Sequence, residues 1–390
     1  MSTLKVTSIE HESTGNGGIQ LDNAGHVTVD NVQMPTAGAL SNRNLIINGA
    51  MQAAQRGTSV TGIGVDDYTC CDRFKHFAAL SGQAGRLTAT QENITDLAGF
   101  HKALKLQVTT AETPGSTESY GLNTRLELQD IKGLGVGTSA AVPLTLSFYA
   151  KAPTGSGVFC AGVIMSGGGS YIEEVNVGTS WSRHEINIPA TTTSSHASTQ
   201  TNDTHTGMEV QITLMAGSSR DDHGNGTWEA DTANRATSNQ SNFFSSTSNN
   251  LFITGVQLER GKKATPFEHR SFGDELARCM RYYETGVCFG MYKTSDDTMG
   301  WAQYSVQKRV NPSLNFNPPG TTTSNNQAYY YSTDSNDRGN RTINDVNHGS
   351  YMNNSQDNLK NGFFASIGNF TPASANDAMW TSNYIAEAEL

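Results

Sequence analysis

Four segments between residues 104 and 216 alternate apolar and polar side chains, and this alternation constrains the fold more than any other feature of the sequence. The segments are LKLQV, LTLSFYA, HEINIPA and MEVQITLMA, which begin at Leu104, Leu144, His184 and Met208. Successive side chains of a strand point to opposite faces, so each segment predicts a strand with one buried and one solvated face. Such strands are typical of two antiparallel sheets packed against each other.

The composition supports the same fold class. Hydrophobic residues make up 36% of the 390 residues, charged residues make up 16%, and 39 residues are glycine. Because uncharged polar residues and glycine favour short strands joined by turns over long helices, the sequence predicts an all-β protein.

The patterning also divides the chain into segments. Residues 1–40 contain two pairs of apolar residues at strand spacing on either side of an Asn-Ala-Gly turn, and strands this short cannot bury a core alone. We therefore predict a thin N-terminal stalk stabilised by other copies of the chain, with a simple surface hairpin as the alternative. Residues 41–270 are predicted to form a central β-sandwich, and residues 287–390 a smaller C-terminal β-sandwich.

One connecting helix is predicted over residues 271–286. Ser271, with Asp274 three residues later, forms a plausible capping box, and Gly286 is a suitable residue after the last turn. Four apolar residues recur at helical spacing and predict a contact between copies of the chain: Phe272, Leu276, Met280 and Tyr283.

The charge balance excludes several classes of function. The chain has 26 basic and 36 acidic residues, a formal net charge of −10, whereas a phosphate-binding groove needs clustered positive charge. Nucleic acid is therefore not an expected partner.

No apolar run approaches the roughly 20 residues that cross a bilayer, and the first residues lack the apolar core of a signal peptide. We expect synthesis in a reducing cytoplasm and no membrane insertion.

The cysteines and the neighbouring carboxylates do not suggest chemistry. Five cysteines form no CxxC pair, which favours buried free thiols over a zinc site: Cys70, Cys71, Cys160, Cys279 and Cys288.

Glycoside hydrolysis needs two carboxylates across one sugar ring. The adjacent pairs Glu173 and Glu174, Asp66 and Asp67, and Asp221 and Asp222 would each point to opposite faces of a strand. No catalytic residue and no cofactor are predicted, although pairs distant in sequence remain an open alternative.

Several residues are candidates for ligand binding. Four oxygen donors on one glycine-bearing loop are weak candidates for calcium, although their spacing does not match an EF-hand: Asp221, Asp222, Asn225 and Asp231. Trp228 lies in the same polar loop and either stacks on a sugar face or closes the end of the sandwich. Further aromatic candidates for glycan contact occur near the C-terminus: Tyr329, Tyr330, Tyr331 and Trp380.

Two separated motifs carry a family resemblance. RNLIINGAMQAAQRGTSVTGIGVDDYTCCDRF, residues 43–74, and FITGVQLERGKKATPFEHRSFGDELARCMRYYE, residues 252–284, resemble the bracketing motifs of a family of bacteriophage tail-fibre proteins common in marine phages. In that family the motifs resemble the first and last strands of a jelly roll similar to carbohydrate-binding modules. The ending YIAEAEL is similar to the closing strand of the family's C-terminal domain. Phe74 stands where relatives usually have Trp, which keeps an aromatic core residue.

The resemblance implies a virion protein, made in the host cytoplasm and assembled into the phage tail. The expected function is attachment to the bacterial surface by binding polysaccharide or lipopolysaccharide without cleaving it. The N-terminal segment would bind other tail proteins, and the chain would form a homotrimer. The alternatives are a glycan-depolymerising tailspike and an adaptor or decoration protein. Glu268, His269 and Arg270 are interpreted as ion-pairing residues at a domain boundary, not as catalytic ones.

Overall fold

The computed structural model describes residues 42–64, 66–68, 70–79, 84–292, 297–317, 327–332, 338–342, 360–368 and 378–390, and four short strands before residue 41. The chain divides into two compact units, Met1–Arg270 and Ser271–Leu390. The described residues are mostly β-structure, and the predicted all-β fold class is confirmed. No helix in this part of the chain has the length and apolar character needed to cross a membrane.

The N-terminal strands form an antiparallel sheet of four strands in chain order. They are β1 (Ser8–Ile9), β2 (Ile19–Leu21), β3 (Val27–Val29) and β4 (Val32–Met34). The two strands predicted on either side of the Asn-Ala-Gly turn are therefore present as β2 and β3, which pair with each other. Their stabilisation by other copies of the chain stays a prediction.

Thirteen further strands of the first unit form two sheets. In chain order they are β5 (Ser59–Ile63), β6 (Asp67–Tyr68), β7 (Lys75–Ala79), β8 (Arg86–Asn93), β9 (Lys102–Thr110), β10 (Ser119–Glu127), β11 (Leu144–Thr154), β12 (Gly157–Met165), β13 (Ser170–Val177), β14 (Ser182–Ile188), β15 (Thr206–Ala216), β16 (Thr227–Glu229) and β17 (Asn250–Arg260). One sheet has the order β16-β13-β12-β15-β10-β7-β6 and the other the order β14-β11-β17-β9-β8-β5.

The main core of the first unit draws on strands of both sheets. Leu104 and Leu146, on the six-stranded sheet, belong to the same buried cluster as Val210 and Leu214 on the seven-stranded sheet. Each of the four alternating segments overlaps a strand, and its alternate apolar side chains are buried. The predicted solvated face is wrong for β11 and β15, because polar side chains on that face are also buried: Thr145, Ser147, Gln211 and Thr213. Phe74 is 2% exposed, which confirms the predicted aromatic core position. The short helix α1 (Leu128–Ile131), which the sequence analysis missed, follows β10.

The two motifs that carry the family resemblance lie side by side. The Leu45 N–H donates to the Leu258 carbonyl at 2.9 Å, and the Val256 N–H donates to the Gly49 carbonyl at 2.9 Å. A Cβ atom on Gly49 would lie 2.1 Å from the Val256 carbonyl oxygen, so this approach requires glycine. The predicted first strand is nevertheless wrong in detail, because residues 43–54 form an irregular segment in which Asn48 has φ 61°.

Side chains complete the pairing that the irregular segment lacks. The Asn44 amide donates to the Val256 carbonyl at 3.1 Å, and its oxygen accepts the Leu258 N–H at 3.1 Å. Glu268 accepts the Asn44 N–H at 2.9 Å and forms an ion pair of 3.3 Å with Arg270. The predicted ion pairing in the Glu-His-Arg sequence is therefore present between Glu268 and Arg270.

The second unit begins with helix α2 (Phe272–Met280). The Ser271 hydroxyl accepts the Asp274 N–H at 3.2 Å, which confirms the predicted N-cap. The predicted C-terminal end at Gly286 is wrong, since Tyr283 already starts strand β18 (Tyr283–Tyr292). The other strands are β19 (Asp297–Gln303), β20 (Ser313–Asn317), β21 (Gln327–Ser332), β22 (Arg338–Thr342), β23 (Gly362–Gly368) and β24 (Ala378–Glu387).

The described strands of the second unit form one sheet with the order β22-β21-β24-β18-β19-β23. Strand β20 pairs with the C-terminal half of β24, so β24 is flanked on both sides. The side chains buried in this unit include Phe316, Phe363 and Tyr384.

Candidate functional site

A row of aligned residues crosses the outer face of the six-stranded sheet. Its members are register partners on β11, β17, β9, β8 and β5, and we call them the Phe252 row: Lys151, Phe252, Lys105, Thr90 and Ser59. Neighbouring strands lie about 4.8 Å apart, so the row runs roughly 19 Å across the sheet. All five side chains are half-buried or exposed.

The position of Phe252 follows from the strand period. Leu251 and Ile253 point into the core and are 1% and 0% exposed, so Phe252 between them points outward. Lys151 and Lys105 occupy the equivalent outward positions on the two neighbouring strands, and their ammonium nitrogens lie 4.9 and 5.5 Å from the centroid of the Phe252 ring. The row therefore presents an aromatic ring between two cations.

Trp181 extends the row at its Lys151 end. It precedes β14, and its ring centroid is 6.3 Å from that of Phe252, with the two planes at 72°. The Trp181 indole N–H donates to the Asp96 carboxylate at 3.0 Å, and Lys151 forms an ion pair with the same carboxylate. The Lys151 ammonium lies 4.9 Å from the Trp181 ring centroid. One carboxylate therefore holds both a lysine and a tryptophan in place.

The electrostatics of this group favour an ionised Asp96. The hydrogen bond from Lys151, followed by that from Trp181, lowers the pKa of the Asp96 carboxyl below its ordinary value. The carboxylate remains charged through the neutral range, and the arrangement of Lys151 and Trp181 persists with it.

A buried aromatic cluster supports the row from below. Phe100 is 5% exposed, and its ring lies 5.1 Å from Tyr149 and 5.2 Å from Phe267 between centroids. Trp181 and Phe252 pack against the same cluster. This packing holds the Trp181 and Phe252 rings in place.

The outer face of the other sheet is covered near its centre. The Arg235 carbonyl accepts hydrogen bonds from Thr213 at 2.6 Å and from Gln211 at 3.2 Å. Its guanidinium lies 4.9 Å from the Phe77 ring centroid and 3.7 Å from the Glu209 carboxylate. Burial lowers the pKa of the Arg235 guanidinium. The loop that contains Arg235 thus covers this part of the sheet.

Trp228 is not an exposed loop residue. It lies in β16, is half-buried, and stacks on His196 with ring centroids 5.4 Å apart and planes at 15°. Its indole N–H donates to the Pro189 carbonyl at 2.8 Å. These contacts match the second of the two predicted roles, in which Trp228 closes the end of the sandwich.

The four calcium candidates do not converge. Asn225 accepts the Glu174 N–H at 3.0 Å, and Asp231 accepts the Ala233 N–H at 2.7 Å, so two of the four side chains bind backbone instead. Asp222 is exposed. Asp221 is half-buried, and within the described ranges no three His, Cys, Asp or Glu residues could together hold a metal ion.

The adjacent glutamates of β13 make contacts on opposite sides, as predicted. Glu173 lies on the side of Tyr171, whose hydroxyl is 3.3 Å from its carboxylate, and burial raises the pKa of the Glu173 carboxyl. Glu174 accepts the Thr237 hydroxyl at 2.6 Å in the loop that covers the other face. These two carboxylates therefore do not face one sugar ring together.

The C-terminal aromatic candidates come from neighbouring strands. Tyr329, Tyr330 and Tyr331 lie in β21, and Tyr330 is the register partner of Trp380 in β24. Their side chains lie outside the described part of the structure.

The predicted contact residues of the helix are not equivalent. Phe272 is 55% exposed, whereas Leu276 and Met280 are half-buried. Tyr283 is 7% exposed and belongs to β18, so its assignment to an exposed helical stripe is wrong.

An apolar patch that the sequence analysis missed lies on the sheet of the second unit. Phe289 and Trp301 are direct register partners on β18 and β19 and are 66% and 65% exposed. Val287, two residues from Phe289 on the same face of β18, is 48% exposed. We call these three residues the Trp301 patch.

Comparisons with known proteins address the fold alone. No protein-family model and no curated protein sequence matches this chain. Similar solved structures include the family 11 carbohydrate-binding module of a cellulosomal cellulase of Clostridium thermocellum, at 12% identity over 53% of this chain and 98% of that one, with a TM-score of 0.27. A putative sugar binding protein from Bacteroides thetaiotaomicron has 16% identity over 56% and 100% of the two chains and a TM-score of 0.30. The N-terminal cellulose-binding domain of a Cellulomonas fimi β-1,4-glucanase has 15% identity over 54% and 100% and a TM-score of 0.27.

Proposed function

We propose that this protein is a phage tail-fibre component that attaches to bacterial surface glycans through the Phe252 row and does not cleave them. The observation that carries the proposal is the arrangement of Trp181 and Phe252 around Lys151, fixed by Asp96. It combines aromatic faces with fixed polar groups on one open sheet surface.

The chemistry of sugars favours this arrangement over the other candidates. A sugar ring offers an apolar C–H face to an aromatic ring and hydroxyl groups to polar side chains. The Phe252 row supplies both, with lysine and hydroxyl donors on either side of the ring. Trp228 lies in β16 of the other sheet, where it stacks on His196, so it is not part of the row.

The tail-fibre proposal is supported by the two motifs, residues 43–74 and 252–284, that resemble those of the tail-fibre family. Residues 43–51 lie against β17, the strand that contains the whole FITGVQLE sequence, so the motifs that bracket the resemblance meet in space. We propose accordingly that the N-terminal strands bind other tail proteins and that the sandwich presents the row to the host surface.

Homotrimer formation would strengthen weak individual sites. Linked sites that engage one surface can gain about 10²–10⁴ in avidity. The Trp301 patch, with two large aromatic side chains about two-thirds exposed, supports a contact between copies of the chain.

Binding to host cells tests the proposal. The double variant Trp181→Ala with Phe252→Ala should lose at least about tenfold in binding to immobilised surface polysaccharide, since each ring contributes roughly 0.5–1.5 kcal/mol beyond its buried area. Trp228→Ala is the matched control and should weaken binding only modestly. Full binding by the double variant, with its circular dichroism spectrum unchanged, would contradict the assignment of the site.

The two alternatives give different results in the same experiments. A depolymerising tailspike would release reducing sugar from the polysaccharide to which it binds. An adaptor or decoration protein would bind neither cells nor polysaccharide at micromolar concentration.

A further inference from the structure

The two lysines of the Phe252 row differ in their partners. Lys151 forms an ion pair with Asp96 and is therefore already neutralised. Lys105, on the opposite side of Phe252, forms no ion pair with a carboxylate among the described residues. The row consequently contains one compensated cation and one uncompensated cation.

The uncompensated cation stands out because the protein as a whole is acidic. A formal net charge of −10 repels anionic polymers at long range, so an anionic ligand needs a local positive charge at its site. Lys105 provides such a charge beside an aromatic ring. The residue is half-buried, and its ammonium lies 5.5 Å from the ring centroid.

We infer that the Phe252 row recognises an acidic polysaccharide, in which an anionic group of one sugar binds Lys105 while the apolar face of a sugar ring packs on Phe252. This inference rests on the proposed function and names its ligand class. Lys105 and Phe252 are register partners on adjacent strands, so the charge and the ring are close enough to contact neighbouring sugars of one polymer.

Hydroxyl groups continue the row beyond Lys105. Thr90 is the register partner of Lys105, and its hydroxyl lies 3.3 Å from the Ser59 hydroxyl on the edge strand. Hydroxyls both donate and accept hydrogen bonds, as sugars do. The row therefore offers, in order, an aromatic ring, a cation and two hydroxyls, which suits a polymer that alternates apolar faces with charged and hydroxylated edges.

The size of the expected charge effect follows from hydrogen bonds to charged groups, which contribute roughly 1.5–3 kcal/mol. Removing either the anion of the ligand or the Lys105 ammonium should therefore weaken binding about ten- to hundredfold. Because the site is on the surface, salt should weaken the same interaction by screening.

The inference can be tested by binding the full-length protein to an array of bacterial polysaccharides. Each polysaccharide is printed twice, once in its native form and once after reduction of its carboxyl groups to alcohols. Reduction removes the charge and keeps the ring. The wild-type protein should bind acidic polysaccharides and lose about ten- to hundredfold in apparent affinity on the reduced forms. Polymers whose charge is phosphate are unchanged by this reduction. Treating them separately with hydrofluoric acid removes the phosphate, and a loss of binding after that treatment identifies a phosphate ligand instead of a carboxylate.

Lys105→Gln should lose the preference for the charged form, whereas Lys262→Gln, which removes an exposed lysine from the turn after β17, should keep it. Equal binding of native and uncharged forms by the wild-type protein would overturn the inference and leave the proposed glycan binding intact. Absence of binding to every polysaccharide would instead contradict the proposed function itself.

Discussion

Lys308 and Glu284 form an ion pair that is almost fully buried within the second unit. Their side chains are 0% and 2% exposed, and the Lys308 ammonium also donates to the Met280 carbonyl at the end of α2. Glu284 accepts further hydrogen bonds from the Tyr384 hydroxyl at 3.1 Å and from the Ser305 N–H at 2.9 Å. The pair therefore connects the helix, the first strand and the last strand of this unit.

Removal of one partner should destabilise the second unit strongly. Lys308→Met leaves the Glu284 carboxylate buried without its cation, at a cost of about 3–5 kcal/mol in the free energy of unfolding. Chemical denaturation followed by tyrosine fluorescence measures the change. The double variant Lys308→Met with Glu284→Gln should recover much of the loss, because it removes both charges and keeps an acceptor for the Tyr384 hydroxyl and the Ser305 N–H. A single variant as stable as the wild type would contradict the structural role of the pair.

His76 should make the first unit sensitive to acid. The imidazole is fully buried, neither ring nitrogen has a hydrogen-bond partner among the described residues, and burial lowers its pKa to about 4, a shift that Asp66 partly opposes. A lowered pKa means that the folded state disfavours the charged form. Stability is therefore full above pH 6.5 and falls by up to about 3 kcal/mol as the pH drops towards 4.

Comparison of two variants isolates this contribution. His76→Leu should flatten the difference in unfolding free energy between pH 7 and pH 4.5, whereas His205→Leu, at an exposed position, should leave it as in the wild type. If the wild type and His76→Leu lose stability in parallel over this range, His76 is not the responsible group.

The sequence predicted those parts of the fold that depend on local periodicity. The strand containing Leu104 and Leu106 is recognisable because burial on one face imposes a period of two on the sequence itself. The helix end could not be located in the same way. Tyr283 continues the helical spacing, but it pairs with Glu387, more than 100 positions away, and this non-local β-pairing determines its conformation.

The candidate site was missed for a related reason. The only local signal is Phe252, an aromatic residue at an outward position between Leu251 and Ile253 in the sequence NLFITG. Trp181 and Asp96 are separated by 85 residues and meet only because strand order brings their loops together. Spacing in a single sequence contains no information about such a contact.

The Trp301 patch predicts how copies of the chain associate. If it forms the contact of a homotrimer, Phe289→Ser with Trp301→Ser should shift the mass measured by light scattering from trimer towards monomer, because it removes two large exposed apolar surfaces. Phe272→Ser tests the helix in parallel and should have a smaller effect, since Leu276 and Met280 beside it are half-buried. A wild-type monomer at micromolar concentration would rule out the trimer.

Catalytic silence is a separate prediction. Single substitutions to the corresponding amide at Glu173, Glu174, Asp221 and Asp222 should leave the release of reducing sugar from bacterial polysaccharide at the background rate of the wild type. The glutamates point to opposite sides of β13, which is incompatible with the two facing carboxylates of glycoside hydrolysis. Measurable depolymerisation by the purified wild-type protein would contradict this prediction and favour the tailspike alternative.

Asp96 should act as a positioning residue for the Phe252 row. It binds the Trp181 indole N–H and the Lys151 ammonium at once, and it is itself exposed at the edge of the row. Asp96→Asn keeps an acceptor for Trp181 but loses the ion pair with Lys151, whereas Asp96→Ala loses both. Glycan affinity should therefore fall in the order wild type, Asp96→Asn, Asp96→Ala, with about a tenfold total loss if the released side chains must be reordered on binding.

Calorimetric titration with a bound polysaccharide fragment measures the affinities, and tryptophan fluorescence reports whether the Trp181 environment changes in the same order. Asp203→Ala, which breaks the exposed ion pair with Lys132 elsewhere in the unit, is the matched control and should change neither signal. Equal affinity of the wild type and Asp96→Ala, with an altered tryptophan spectrum, would mean that the indole moves without consequence for binding. The role assigned to Trp181 would then be wrong, because a contact that tolerates displacement of its ring contributes little to recognition.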